Sequence, residues 1–261
     1  MRLICYVHIG AINIDVTQSI LDELFDRLHK SGLYKKLEEI RCGLVGQSAR
    51  CILVPEKANV VFYNDDPSVY EIPTLNNMRD FALKNKDTYI LYLHTKGATS
   101  KRCNGVNYQL QWSKLMQHFC IDRHEECISL LQKYMTVGCL MNENYYCGNF
   151  WWVRGDYVAN KEQIVPDKSG WGMGGEFWIM NPPLADSHVS LFDSDFQYSS
   201  TPPCSGLYGN AVTGYELTKS TVRVNTLSVM THSASMSVPL VISLIVSIIV
   251  ICTFITYRLS R

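Results

Sequence analysis

The chain has no excess of charge of either sign: 24 Lys and Arg stand against 24 Asp and Glu in 261 residues. No basic block stands out, which argues against a nucleic-acid partner. C-x-x-C pairs are absent as well; the ten cysteines are scattered. That pattern disfavours a zinc site or a disulfide framework and fits buried free thiols in a reducing compartment. No Asn sits in an N-x-Ser/Thr sequon, which fits a cytosolic face. The first ten residues hold too short an apolar stretch for a signal peptide before Asp15, and read as a first core strand. That strand ends His8-Ile9-Gly10-Ala11-Ile12-Asn13, with one glycine where a dinucleotide fingerprint needs three, so a Rossmann dehydrogenase is excluded. No internal repeat is evident.

What is present is a 47% hydrophobic chain, enough for one sizeable core. Residues 2–8 read as the first strand. Helical spacing covers 16–30, with Thr17 or Ser19 near its start and Ser31-Gly32 at its end. Short strands are predicted at 42–46, 51–54 and 59–63, then a helix capped by Thr74 and running through Leu83. Residues 89–93 form an apolar run without polar alternation, the mark of a strand buried on both faces of a parallel sheet. A polar loop at 95–106 precedes an amphipathic stretch over 107–134, one helix or two. Strands at 136–140 and 149–153, a helix from Gly155-Asp156 and a short helix opening at Glu176 complete the pattern. Strands alternating with helices predict an α/β fold with a mixed, mostly parallel sheet flanked by helices.

The C-terminal region differs. Residues 238–257 carry no charge and are mostly Ile, Val and Leu. About 20 such residues cross the roughly 30 Å hydrocarbon core of a bilayer. The predicted organisation is a domain over 1–200, a Ser/Thr/Pro/Gly-rich stalk over 201–236, a single transmembrane helix over 237–257 and a short basic tail at 258–261. This describes a tail-anchored membrane protein with its main domain in the cytosol.

Three constellations could carry chemistry. His94-Thr95-Lys96-Gly97 ends the apolar strand, where ligands sit in open α/β sheets. Lys96 is a point charge for a diphosphate, His94 a hydrogen-bond donor, and Gly97 permits close backbone approach. A solvated strand end is the plainer alternative. In Gly148-Asn149-Phe150-Trp151-Trp152 the adjacent tryptophans face opposite sides of a strand. One should be core and the other could pack on a sugar or base, unless both are core. In Ser169-Gly170-Trp171-Gly172-Met173-Gly174-Gly175-Glu176-Phe177-Trp178, the glycines form a loop able to close on a substrate. Glu176 in a first helical turn is then a candidate general base, or simply a helix-start Glu. Asp193-Ser194-Asp195 has metal-binding spacing for a hard cation, with a solvated turn the favoured reading.

In this order the three constellations resemble the GT-A-like sugar-nucleotide glycosyltransferases. The likeness is to a group carrying Leu-His-Thr/Ser-Lys-Gly, then Gly-Asn-Phe-Trp-Trp, then Glu-x-Trp. Here these are Leu93-His94-Thr95-Lys96-Gly97, Gly148-Asn149-Phe150-Trp151-Trp152 and Glu176-Phe177-Trp178. The flanks Ser31-Gly32-Leu33-Tyr34, Tyr70-Glu71-Ile72-Pro73-Thr74-Leu75 and Arg154-Gly155-Asp156-Tyr157-Val158 are similar too, and the resemblance covers about residues 2–190. It implies a GT-A-like fold and transfer of a sugar from a nucleotide-sugar donor to a hydroxyl acceptor on a glycan, protein or lipid. It implies a donor site at His8, His94, Thr95, Lys96, Gly97, Asn149, Trp151 and Trp152. Gly172-Met173-Gly174-Gly175-Glu176 is similar to the Trp-Gly-Gly-Glu loop of metal-dependent galactosyltransferases, which implies Glu176 as the base. GT-A enzymes usually hold Mn²⁺ with an Asp-x-Asp after the buried strand. This chain has His94-Thr95-Lys96 in that place, so Lys96 is expected to do the metal's electrostatic work. No cofactor is fixed by the sequence: Mn²⁺ or Mg²⁺ on Asp193 and Asp195 is the weaker alternative. The rival from another class is a non-catalytic carbohydrate- or nucleotide-binding module held at a membrane.

Overall fold

The fold is taken from a computed structural model, which describes residues 1–98, 108–165, 174–182, 186–192 and 223–224. The chain divides into two units, Met1–Leu227 and Ser228–Arg261; the second lies outside the described residues. Elements run β1 (Arg2–Gly10), α1 (Ile14–Lys30), α2 (Leu33–Lys36), β2 (Glu39–Val45), β3 (Ala58–Asn64), α3 (Ile72–Lys84) and β4 (Thr88–His94). They continue with α4 (Tyr108–Gln117), α5 (His124–Leu130), β5 (Thr136–Gly138), β6 (Trp151–Arg154), α6 (Gly155–Ala159), α7 (Gly174–Trp178), β7 (His188–Ser190) and β8 (Arg223–Val224). One eight-stranded sheet has the order β3-β2-β1-β4-β6-β5-β7-β8. β3, β2, β1 and β4 are mutually parallel, β6 is antiparallel to both its neighbours, β5 and β7 are parallel, and β8 is antiparallel to β7. The expected α/β fold with a mixed, mostly parallel sheet is therefore what the chain adopts.

Both sheet faces are covered, which explains the continuous apolar runs. In β1, Cys5, Val7 and Ile9 join one core cluster with Leu21, Leu24, Phe25 and Leu28 of α1. Ile4 and Tyr6 join the other, with Leu75, Met78 and Ala82 of α3. β4 divides the same way: Leu91 and Leu93 to the first face, Ile90 and Tyr92 to the second. A period of two between two helical layers leaves no polar face to alternate with.

Several local expectations shift. The expected strand at 51–54 is absent; Ala49–Cys51 is a turn of 3-10 helix, and Cys51 is exposed. Ile52 is buried, but Pro55 follows and removes a ladder donor. The cap of α1 is Asn13, whose Oδ1 accepts from Val16 N, because the buried Thr17 hydroxyl donates to Gly10 O. α3 begins two residues before Thr74, with Glu71 at the cap and a proline in its first turn. The amphipathic stretch is two helices joined by a π-helical turn over His118–Asp122. β5 stops at Gly138, ahead of Leu140 at φ 57, and β6 starts at Trp151 because Asn149, at φ 62, is left-handed rather than extended.

Arg223 and Val224, within the stretch read as a stalk, pair with β7. The expected membrane span, the glycines at 170 and 172 and the pair Asp193 and Asp195 lie outside the described residues. No helix among the described residues is long and apolar enough to cross a membrane.

Candidate functional site

After β1 the chain adds β2 and β3 on one side, then returns through α3 to place β4 on the other. The order reverses at β1, and ligands bind in the crevice beyond the carboxyl ends of strands at such a switch point. A cavity of about 320 Å³ lies there, at the lower end of small-molecule site volumes. His8 and Gly10 of β1, His94 at the tip of β4 and the following Thr95, Lys96 and Gly97 line it, together with Glu71. Ile12, Pro67, Tyr70 and Gln109 also contribute to its wall.

The cavity floor is stitched by backbone. Thr95 N donates to His8 O at 3.0 Å, and Gly10 N donates to Thr95 Oγ1 at 2.9 Å. Thr95 thus extends the β1–β4 ladder past the end of β4. His8 shares a 2.9 Å hydrogen bond from Nδ1 with Thr74 Oγ1, which is why Thr74 is spent inside α3 rather than at its cap. Burial pushes the His8 imidazole down to about 4, so it is neutral near pH 7.

His94 does not offer the donor proposed for it. Its Nε2 lies 2.8 Å from Gly148 O. A carbonyl only accepts, so that nitrogen carries the proton and is engaged. Burial, with the Lys96 charge beside it, pushes His94 down to about 3. It pins the tip of β4 to the 148–149 turn.

Both tryptophans are fully buried, so neither ring presents a face to a ligand. Trp152 turns to the α1 face and donates its indole to Cys120 O at 2.7 Å. Trp151 lies on the α3 face, stacked on Tyr92 with ring centroids 4.7 Å apart. Its Nε1 donates to Asn149 Oδ1 at 2.6 Å. An indole can only donate, so the Asn149 amide is oriented with Nδ2 outward. That Nδ2 donates to Glu71 Oε1 at 2.8 Å, and Tyr92 Oη donates to Glu71 Oε2 at 2.6 Å. Two hydrogen-bonded lines from the strands therefore converge on one carboxylate.

Glu71 is the residue that reading the sequence missed. In sequence it stands only as a flank of the motifs, although a carboxylate just ahead of a helix-opening Ile72-Pro73 is a usable signal. Tyr92 lies within the apolar run at 89–93, yet a buried tyrosine hydroxyl needs a partner. Burial pushes Glu71 up to about 7; the neighbouring Glu176 charge adds to this, while Tyr92, Asn149 and Lys96 oppose it.

Glu176, in α7, accepts from Gly148 N through Oε1 at 2.7 Å. Gly148 has φ +86, and a Cβ there would lie 2.5 Å from Met116 Sδ, so only glycine fits. A Cβ on Gly175 would lie 2.8 Å from the Glu71 side chain, so α7 starts directly against Glu71. Lys96 feels both carboxylates, and its Nζ sits 4.0 Å from the Trp112 ring centroid. Burial lowers its proton affinity and the two glutamates restore part of it.

The strand tip does not fit a metal. The position of an Asp-x-Asp is held by an ammonium and by an imidazole whose Nε2 is committed. Among the described residues no group of three or more His, Cys, Asp or Glu side chains could hold an ion. Chemically the site offers a half-buried cation, two half-buried carboxylates and a small cavity. Comparison with known proteins finds no family model and no curated protein that matches the chain.

Proposed function

We propose that this protein transfers a sugar from a nucleotide-sugar donor to a hydroxyl acceptor without a bound metal. One observation carries the reading: the cavity at the β1–β4 switch point has Lys96 at its wall, beside Glu71 and Glu176. Phosphoryl groups leaving a sugar develop negative charge, and a fixed cation in a poorly hydrated site offsets that charge well. Lys96 would face the donor diphosphate beyond the tips of β1 and β4. A carboxylate nearby would take the acceptor's proton. His94, Thr95, Asn149 and Trp151 would hold these groups in place. The resemblance in motif order supports the same reading. The uncharged residues 238–257 would anchor the protein in a membrane, with the sheet domain on the cytosolic side. Glycosylation in cells at a sequon inserted near residue 210 would overturn that placement.

The test uses the full chain and a panel of nucleotide-sugars. Binding is followed by calorimetry and nucleoside diphosphate release by chromatography, with and without EDTA. Release that persists in EDTA supports the reading; release abolished by EDTA makes the enzyme metal-dependent. Binding without release for every donor favours the non-catalytic module, for which the lysine in place of an Asp-x-Asp is the motivating observation.

A further inference from the structure

We infer that Glu71 takes the proton from the acceptor hydroxyl, and that Glu176 is a positioning residue that holds the Gly148-Asn149 turn. The inference rests on the transferase reading and reverses the role expected for Glu176.

Geometry separates the two carboxylates. Among the described residues Glu71 lines the cavity and Glu176 does not. A carboxylate has two oxygens with about four acceptor sites. Tyr92 and Asn149 each occupy one site, on different oxygens, and both point hydrogens at Glu71. A proton arriving at Glu71 therefore cannot enter from the Tyr92 or Asn149 side; it comes through the cavity. The same two donors fix the carboxylate's orientation, as a group abstracting a proton in a defined direction requires. The push of burial on Glu71, to about 7, places it where a general base works best near neutrality.

Glu176 is committed differently. Its Oε1 accepts from Gly148 N, and the carbonyl of the same residue accepts from His94. The turn so held presents Asn149, left-handed at φ 62, to Glu71. Glu176 thus acts on Glu71 through the backbone that holds Asn149 and through its charge, which pushes Glu71 up.

In the reaction the acceptor O–H bond breaks and its proton moves to Glu71. The acceptor oxygen forms a bond to the sugar's anomeric carbon. The bond from that carbon to the diphosphate oxygen breaks, and its electron pair leaves with the nucleoside diphosphate, whose charge Lys96 offsets. Glu71 then releases the proton to water.

The experiment compares variants of the full chain on the nucleotide-sugar that wild type binds and turns over. Glu71→Gln is expected to bind that donor within about threefold of wild type and to lose about 10²- to 10⁴-fold in turnover, the usual contribution of a general base. Glu176→Gln keeps an oxygen able to accept from Gly148 N; it is expected to retain most turnover, with the acid limb of the pH–rate profile moved to lower pH because the charge that pushes Glu71 up is gone. Tyr92→Phe removes a donor that favours the ionised carboxylate, so the acid limb is expected to move to higher pH. That readout holds even if Glu71→Gln folds poorly. Loss of turnover in Glu176→Gln with a full acid limb in Glu71→Gln would overturn the inference while leaving the transferase reading intact. If wild type releases no nucleoside diphosphate from any donor, both fall together, and the wild-type measurement alone reveals it.

Discussion

Two buried polar chains run through this sheet, and they end differently. In the half built on β5 and β7, Tyr146 donates to Val189 O at 3.0 Å. Its hydroxyl proton is thereby used, so Thr136, 2.8 Å away, donates to it, and His188 Nδ1 donates to Thr136 at 2.8 Å. That line ends on a backbone carbonyl. All three side chains are fully buried, and none of them is charged near pH 7, since burial pushes His188 down to about 4. In the half built on β1 and β4, the line from Trp151 through Asn149 ends on a carboxylate at a cavity. A line that closes on a carbonyl fastens the fold. A line that stops at an ionisable group with an open side holds a proton acceptor in place, at a cost in stability.

The contrast can be broken most forcefully at Lys96. Lys96→Met is expected to lower turnover about 10²- to 10³-fold, the effect of removing one preorganised stabiliser of developing charge. It should also raise the acid limb of the pH–rate profile, because Glu71 loses an opposing cation. Steady-state rates across pH measure both.

In the closed cluster, Thr136→Val strips His188 Nδ1 and Tyr146 of a partner while preserving shape. His188 Nε2 has no hydrogen-bond partner among the described residues to compensate. A loss of about 1–3 kcal/mol is expected. That is about 2–4 °C in Tm per kcal/mol for a domain of this size. Thermal melts check it, and donor affinity should be unchanged. A binding defect without a drop in Tm would erase the distinction between the two chains.

The smallest effect lies in the pH dependence of stability. His8, His94 and His188 are pushed down from 6.5, to about 4, 3 and 4. Unfolded histidines bind protons first, so their stabilising contribution is complete above pH 6.5 and is lost as pH falls through those values. Glu71 is pushed up from 4.5 to about 7, so it favours the folded state below 4.5 and that contribution is lost as pH rises through 7. The effects oppose each other between 4.5 and 6.5, and Glu71 acts alone among these four between 6.5 and about 8. Melting curves there should decline slightly for wild type and stay flat for Glu71→Gln. A wild-type Tm that rises across that window would contradict the placement of Glu71.

Much of the framework was legible because it follows from periodicity. The unbroken apolar run at 89–93 implied a strand covered on both faces, and Leu91 and Tyr92 indeed go to opposite cores. The cavity lining was legible where polar side chains sit on a strand end, as with His94 and Lys96. It was not where long-range partners decide a residue's role. Thr74 looks like a cap until His8 claims its hydroxyl, and His94 looks like a donor to ligand until Gly148 O uses its proton. Glu71 becomes notable only once β6 brings Asn149 to it, a contact between residues 78 apart in sequence.

The stitching of Thr95 to Gly10 and His8 has a consequence for altering this protein. Part of that floor is main-chain hydrogen bonding, which side-chain replacement leaves largely untouched. The exposed rim is side chain: of the lining residues, Ile12 is 56% exposed and Tyr70 48% exposed. A library aimed at a different ligand is therefore best written into the rim, since the floor would return much the same shape from many sequences.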